Sequence, residues 1–168
     1  DMNKGLVYDG PMIVLVDKSS CSAAELFAAV MQDYNRAVIV GSNTYGKSTS
    51  QAILPLKTNS ILEDNEAINS SNGFVKLTVG MMYRCTGQSY QKDGVKADIN
   101  LPDIFKHLEL GEKFEPRSLN AKTIDKKTYY YPLSNLPIGE LKSKSQQRLN
   151  NNNKYSEQET RHAQQAIY

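Results

Sequence analysis

Ser22 and Lys47 have the chemistry of a hydrolase. Ser22 opens an apolar helix, and Lys47 stands between Gly46 and Ser48 on a nearby loop. A serine hydroxyl needs a base before it can attack a carbonyl. A free lysine titrates at about 10.4, so it serves as that base only if burial lowers its pKa by about 3 units, on the order of 4 kcal/mol. A helix N-terminus presents unpaired N–H groups and a partial positive charge. Both would stabilise an oxyanion forming beside Ser22, with the Ala23 N–H as the nearest donor. The flanking residues Ser20, Cys21, Ala23 and Ala24 are small, which lets a peptide backbone come close.

Each residue also has a plainer reading. Ser22-Ala23-Ala24-Glu25 is a capping box, S-x-x-E, and that spacing alone favours a helix cap over catalysis. Lys47 taken alone is a solvated loop lysine. A third reading treats Gly41 to Ser48 as a phosphate-binding loop, because the run fits G-x-x-x-x-G-K-S/T and follows the strand Ala37–Val40. In that reading Gly41, Lys47 and Ser48 would hold a nucleotide. A P-loop opens directly into a helix, however. Here STSQAILPL follows, rich in small and β-branched residues and closed by Pro55, which reads as a strand. An apolar strand ending in a magnesium-binding aspartate is not evident downstream. The run MIVLVD at 12–17 has that form but lies upstream.

With these residues in view, the run IVLVDKSSCSAAELFAAVMQDYNRAVIVGSNTYGKSTSQ resembles the catalytic core of the carboxyl-terminal processing peptidases, the tail-specific proteases. That family shows S-A-S-A-S-E, a helix ending in Q-D, then G-x-x-T-F/Y-G-K-G/S-x-x-Q. The resemblance implies Ser22 as nucleophile, Lys47 as general base and Gln51 as the residue that orients the lysine. Cys21 and Ala24 depart from the usual alanine and serine, and both are small. The stretch GFVKLTVGMMYRCTGQSYQKDGVKADI is similar to the family's strand pair ending in Q-x-x-G-V-x-P-D-I, with Ala97 in place of the proline. YYYPLSNLPIGELKSKSQQR resembles the C-terminal extension of the tail-specific subgroup. The resemblance further implies protein substrates recognised by their C-terminal tails, no cofactor, and a periplasmic or otherwise extracytoplasmic location. It places a second oxyanion donor in a glycine-rich turn ahead of the first strand, and no such turn lies between Asp1 and Gly10. The PDZ module of the family is also not in the chain. The chain is therefore read as a fragment of a longer precursor, expected to be inactive alone and able to self-associate through exposed strand edges. Some descriptions of the family attach an aspartate at the Asp33 position to the active site. Eleven helical residues separate it from Ser22 and rise about 16 Å, so Asp33 is read as structural, tying the helix end to a loop.

The elements that must position these residues follow from pattern. Met12–Val16 is a continuous apolar run, as in a parallel strand covered on both faces. Ala23–Tyr34 is helical, with Leu26, Phe27, Val30, Met31 and Tyr34 on one face and alanines elsewhere, which predicts a helix buried between layers. Ala37–Val40 completes a βαβ unit with a right-handed crossover. Ser50–Leu54 and Phe74–Arg84 read as strands, Lys57–Gly73 as a polar loop, and Val95–Leu101 as a short edge strand. The fold class is α/β, a βαβ core of the crotonase-like or ClpP-like type with a helical tail. Residues 1–115 form the catalytic part and 116–168 the C-terminal extension. In that extension Tyr129, Tyr130, Tyr131, Leu133, Leu136 and Ile138 are placed to clamp an arm onto the main domain. Ile138–Leu149 is helical in period, and a second capping box, Ser156-x-x-Glu159, opens a polar helix.

Composition narrows the function classes. The chain has 168 residues, enough for one core with a small appendage. Its net charge of +2, with both signs interspersed, implies neither a nucleic-acid nor a membrane partner. Cys21 and Cys85 make no disulfide framework, and with His107 and His162 as the only histidines a zinc site is not expected. There is no apolar run of membrane-spanning length.

Overall fold

The computed structural model describes residue 5 and residues 7–56, 73–126 and 129–152. The expected loop at 57–73 and the helix opening at Ser156 lie mostly or wholly outside them. Strand β1 (Ile13–Val16) leads through a short turn to helix α1 (Ala23–Asp33) and back to strand β2 (Val38–Gly41). β1 and β2 pair in parallel, Ile13 opposite Val38 and Val16 opposite Gly41. Strands β3 (Thr49–Pro55) and β4 (Phe74–Met81) form a separate antiparallel pair. Strand β5 (Ile99–Asn100) then joins β2 in parallel, giving the order β1-β2-β5. A short 3-10 turn (Glu112–Phe114) and helix α2 (Ile138–Asn150) follow.

Side-chain alternation along the parallel strands sorts the core into two layers. On one face Val14, Val16 and Ile39 meet Ala28, Ala29, Leu26 and Met31 of α1, with Tyr90 and Val95 closing the layer. On the other face Val38, Val40 and Ile99 are covered by Leu136, just ahead of α2, and by Ile138 and Leu141 in its first turn. β2 is therefore buried on both faces. β1 is not: Ile13 and Leu15 are 64% and 75% exposed, because the α2 layer reaches β2 and β5 but not β1. That corrects the expectation of a fully covered first strand.

The helix face is also corrected. The fully buried residues of α1 are Glu25, Ala28 and Ala29, while Phe27 is half exposed. The small side chains let α1 lie close against the sheet, and its larger residues flank that contact. The helix thus buries one face rather than standing between two layers. It ends with Asn35 in the left-handed region (φ 52°) and the Arg36 N–H on Met31 O (2.9 Å). This is the usual way to satisfy the last carbonyls. The end of α1 is then tied to the extension. Leu133 N–H donates to Tyr34 O (2.9 Å), Asn35 Nδ2 donates to Leu133 O (2.9 Å), and the Tyr34 and Tyr130 rings lie 5.3 Å apart. Tyr129 and Tyr131 point away and are exposed, so the clamp uses fewer aromatics than the sequence offered.

The β1–α1 turn, which delivers Ser22, is knotted by Asp17. Its Oδ1 accepts from the Ser19 N–H (2.9 Å), Ser19 Oγ (2.7 Å), the Ser20 N–H (3.0 Å) and Ser20 Oγ (3.2 Å). The Ser19 hydroxyl bond leads in holding the Asp17 pKa below its ordinary 3.8. A carboxylate depressed in the folded state adds stability that is complete above its unfolded pKa and is lost as pH falls through the folded one. Asp17→Asn should therefore lower stability at neutral pH and flatten the acid limb below about pH 4. Thermal melts of both proteins between pH 2 and 7 check this, and parallel acid limbs would refute it.

Candidate active site

Ser22 is the N-cap of α1 and holds φ 58°, ψ −113°, a conformation that L-residues avoid. Such a backbone persists only where the surroundings enforce it, at a cost of about 1–3 kcal/mol. Here the enforcing group is Glu25, which is fully buried. Its Oε2 accepts from the Ser22 N–H (2.8 Å) and the Lys47 N–H (2.8 Å). Its Oε1 accepts from the Gly46 N–H (2.6 Å) and from Thr44 Oγ1. One carboxylate thus joins the turn that carries Ser22 to the loop that carries Lys47. The Tyr45 N–H on Ser20 O (3.0 Å) adds a second tie between the same segments.

The lysine loop is clamped from its far side by residues 88–95. Thr44 Oγ1 accepts from the Val95 N–H (2.7 Å), and the Lys92 N–H donates to Gly46 O (2.7 Å). The approach demands glycine at two points. A Cβ at Gly46 (φ 95°) would sit 2.7 Å from the Lys92 carbonyl carbon, and one at Gly94 (φ 71°) 2.3 Å from Thr44 O. Buried Gln91 accepts at Oε1 from the Ser48 N–H (2.8 Å) and donates from Nε2 to Glu112 (2.9 Å). The stretch Gln91 to Val95 therefore serves as a brace for the loop.

Lys47 Nζ donates to Thr49 O (3.1 Å) and to Gln51 Oε1 (2.9 Å). Gln51 Nε2 in turn donates to Thr49 Oγ1 (2.9 Å), which fixes the amide so that its oxygen faces the amine. Among the described residues no hydrogen bond joins Lys47 Nζ to Ser22 Oγ. The structure brings together the backbones of Ser22 and Lys47 and the side chains of Lys47 and Gln51. Ala23 is the first residue of α1, so its N–H has no acceptor within the helix.

Asp33 stands at the other end of α1. Arg84 donates to it from Nε (3.0 Å) and from a terminal nitrogen (2.5 Å), and the same guanidinium reaches Gln32 Oε1 (2.8 Å). No hydrogen bond links Asp33 to Ser22 or Lys47 among the described residues. Cys21 lies beside the site. Burial first, and the Glu25 charge second, push its thiol pKa up, against an opposing pull from Lys47. It is therefore a protonated thiol at neutral pH, the unreactive form. Burial and the same Glu25 charge push the Tyr90 phenol up to about 12.

The nucleotide-loop reading fails on two observations. The chain after Ser48 is strand β3 and not a helix. The Gly46 and Lys47 N–H groups, which would cradle a phosphate, are already given to Glu25.

The Peptidase family S41 profile matches residues 1–101. The chain belongs to this family. Among curated relatives it is 40% identical over 122 residues to a tail-specific protease of Haemophilus influenzae, covering 73% of this chain and 17% of that protein. It is 34% identical over 110 residues to a carboxy-terminal-processing protease of Bartonella bacilliformis, covering 66% of this chain and 21% of that one. The chain thus spans about a fifth or less of these relatives. A solved photosystem II D1 C-terminal processing protease aligns with TM-score 0.44 and 30% identity over 54% of this chain and 20% of that one.

Glu25, Thr44 and Gln91 were given no positioning role from the sequence, although each stands at a fixed position of the family motifs. The signals were there: the E of S-A-S-A-S-E, the T of G-x-x-T-F/Y-G-K and the Q of Q-x-x-G-V fall on these three residues, and the S-x-x-E spacing marks a carboxylate that reaches beyond its cap. Glu25→Gln would keep the shape but replace one oxygen by an NH₂ that faces donors. Each buried N–H left without an acceptor costs about 1–3 kcal/mol. Urea unfolding should show a loss on that order, whereas Asp33→Asn, which keeps an acceptor for Arg84, should lose less. Equal stability of Glu25→Gln and the parent would remove Glu25 from this role.

Proposed function

We propose that the whole protein containing this chain is a serine endopeptidase of the Ser–Lys type that cleaves protein substrates near their C-termini. The observation that carries this is the pair of bonds at Lys47 Nζ. A neutral amine has two N–H donors and one lone pair. Thr49 O and Gln51 Oε1 take two donors. In the neutral amine the lone pair is then aimed at a third direction, where a serine hydroxyl can be served.

In this reading Ser22 Oγ attacks the scissile carbonyl carbon while its proton passes to Lys47 Nζ. The tetrahedral oxyanion takes the Ala23 N–H as one donor. Lys47 returns the proton to the leaving amine as the C–N bond breaks, leaving an acyl group on Ser22. Water then adds to the ester by the same path, and the acid is released. Gln51 orients Lys47, and Glu25 holds the two segments in register.

Tail recognition follows the name of the Haemophilus influenzae relative. A periplasmic or otherwise extracytoplasmic location, the crotonase-like form of the βαβ core, and the division at residues 115 and 116 belong to the same proposal. Among the described residues no helix is long and apolar enough to cross a membrane. Exposed Ile13 and Leu15 on β1 are the surface through which copies would associate.

In the whole protein, Ser22→Ala, Lys47→Ala and Lys47→Arg should each abolish cleavage of a peptide with a small apolar C-terminus, followed by mass spectrometry. Arginine does not deprotonate in the working range, so keeping the positive charge does not rescue the base. Near-native activity of Lys47→Arg would rule lysine out as the base. Cys21→Ala should retain turnover, and its loss with the fold intact would count against Ser22.

A further inference from the structure

Strand β3 leaves the lysine loop and forms the outer edge of a sheet with only two strands among the described residues. Its hydrogen-bonding sides can be assigned. The Met82 N–H on Ser48 O (2.7 Å) and the Leu56 N–H on Gly73 O (2.9 Å) show that Ser48 and Leu56 face β4. Alternation along an antiparallel ladder then places Ser50, Ala52 and Leu54 on the β4 side. The backbones of Thr49, Gln51, Ile53 and Pro55 face outward. A β-bulge lies on the β4 strand, where Ser50 pairs with Gly80 and Gln51 with Thr78, so Val79 is the extra residue and the β3 alternation is unbroken.

The outward edge has a defined beginning and end. Thr49 O is occupied by Lys47 Nζ (3.1 Å), so the amine sits in the first slot of the edge. Pro55 has no N–H and closes the far end, as proline does on edge strands. Between them Gln51 and Ile53 offer N–H and C=O groups that no described residue takes. Ile53 is 63% exposed, so nothing described covers this stretch.

We propose that a polypeptide substrate adds to β3 as a third strand, pairing with the backbone of Gln51 and Ile53. Its scissile carbonyl then lies at the Lys47 end of the edge. This rests on the peptidase reading above. The occupant is an extended peptide because the edge runs without interruption into the amine that would act on it. Recognition is by main chain, so it tolerates varied side chains but requires a free amide at every second substrate residue.

The test is an N-methyl scan of a cleavable peptide against the whole wild-type protein. Methylation at alternate residues on one side of the scissile bond should lower kcat/KM by roughly tenfold or more, as expected for a lost backbone bond. Methylation at the intervening residues should be tolerated. Ile53→Pro removes an outward donor but no ladder bond to β4, and should lower kcat/KM with an unchanged melting temperature. If Ile53→Pro does not fold, the scan on the wild-type protein decides. A flat scan with the parent peptide still cleaved would overturn the strand-addition proposal, including the case where another chain segment or a second copy occupies the edge. No cleavage of the parent peptide would overturn the peptidase reading itself, and the proposal with it.

Discussion

Everything in the site depends on one buried carboxylate. Glu25 accepts hydrogen bonds from the backbones of Ser22, Gly46 and Lys47 and from the Thr44 hydroxyl. A carboxylate in the interior is unfavourable unless its lone pairs are filled. These four donors fill them, and no subset does so equally well. The helix start and the glycine-lysine loop are therefore locked to a single relative position. Ser22 makes its bond to Glu25 from a strained backbone, with φ 58°.

The rest of the fold makes that lock possible. Ala28 and Ala29 allow α1 to approach the sheet, which puts Glu25 within reach of the loop after β2. Gly46 and Gly94 allow the 91–95 brace to meet the loop at backbone contact distance. Gln91 then holds Ser48 and Glu112 together. From this braced base β3 departs, so Thr49 and Gln51 arrive already oriented toward Lys47 Nζ. The chain of support runs from small residues to glycine turns to a fixed amine.

Much of this was legible in the residues. The β-branched run Val38–Val40, the alanine-rich helix and the small-residue turn before it each match local propensity, and the βαβ unit follows from their order. The strand after Ser48 was also legible, because STSQAILP has neither the composition nor the caps of a helix. Three things were not. The helix was expected between two layers, but it buries one face: Ala28 and Ala29 with Leu26 and Met31 meet the sheet while Phe27 stays half exposed, because an apolar pattern does not show whether a second layer covers it. The open face of β1 was missed, because an apolar run does not reveal which neighbours cover it. The reach of Glu25 was missed because a capping box is a local pattern, and its remaining partners lie some twenty residues away, at 44–47.

Ser22 itself shows a conflict between durability and use. Of the common residues, glycine alone occupies a positive φ without strain. A β-branched replacement such as threonine would crowd there, even though it keeps a hydroxyl. Selection for a sturdier fold would thus drift toward glycine at this position, and would discard the only hydroxyl set at the start of α1. In the proposed reading the serine is kept for its hydroxyl, against what the backbone prefers.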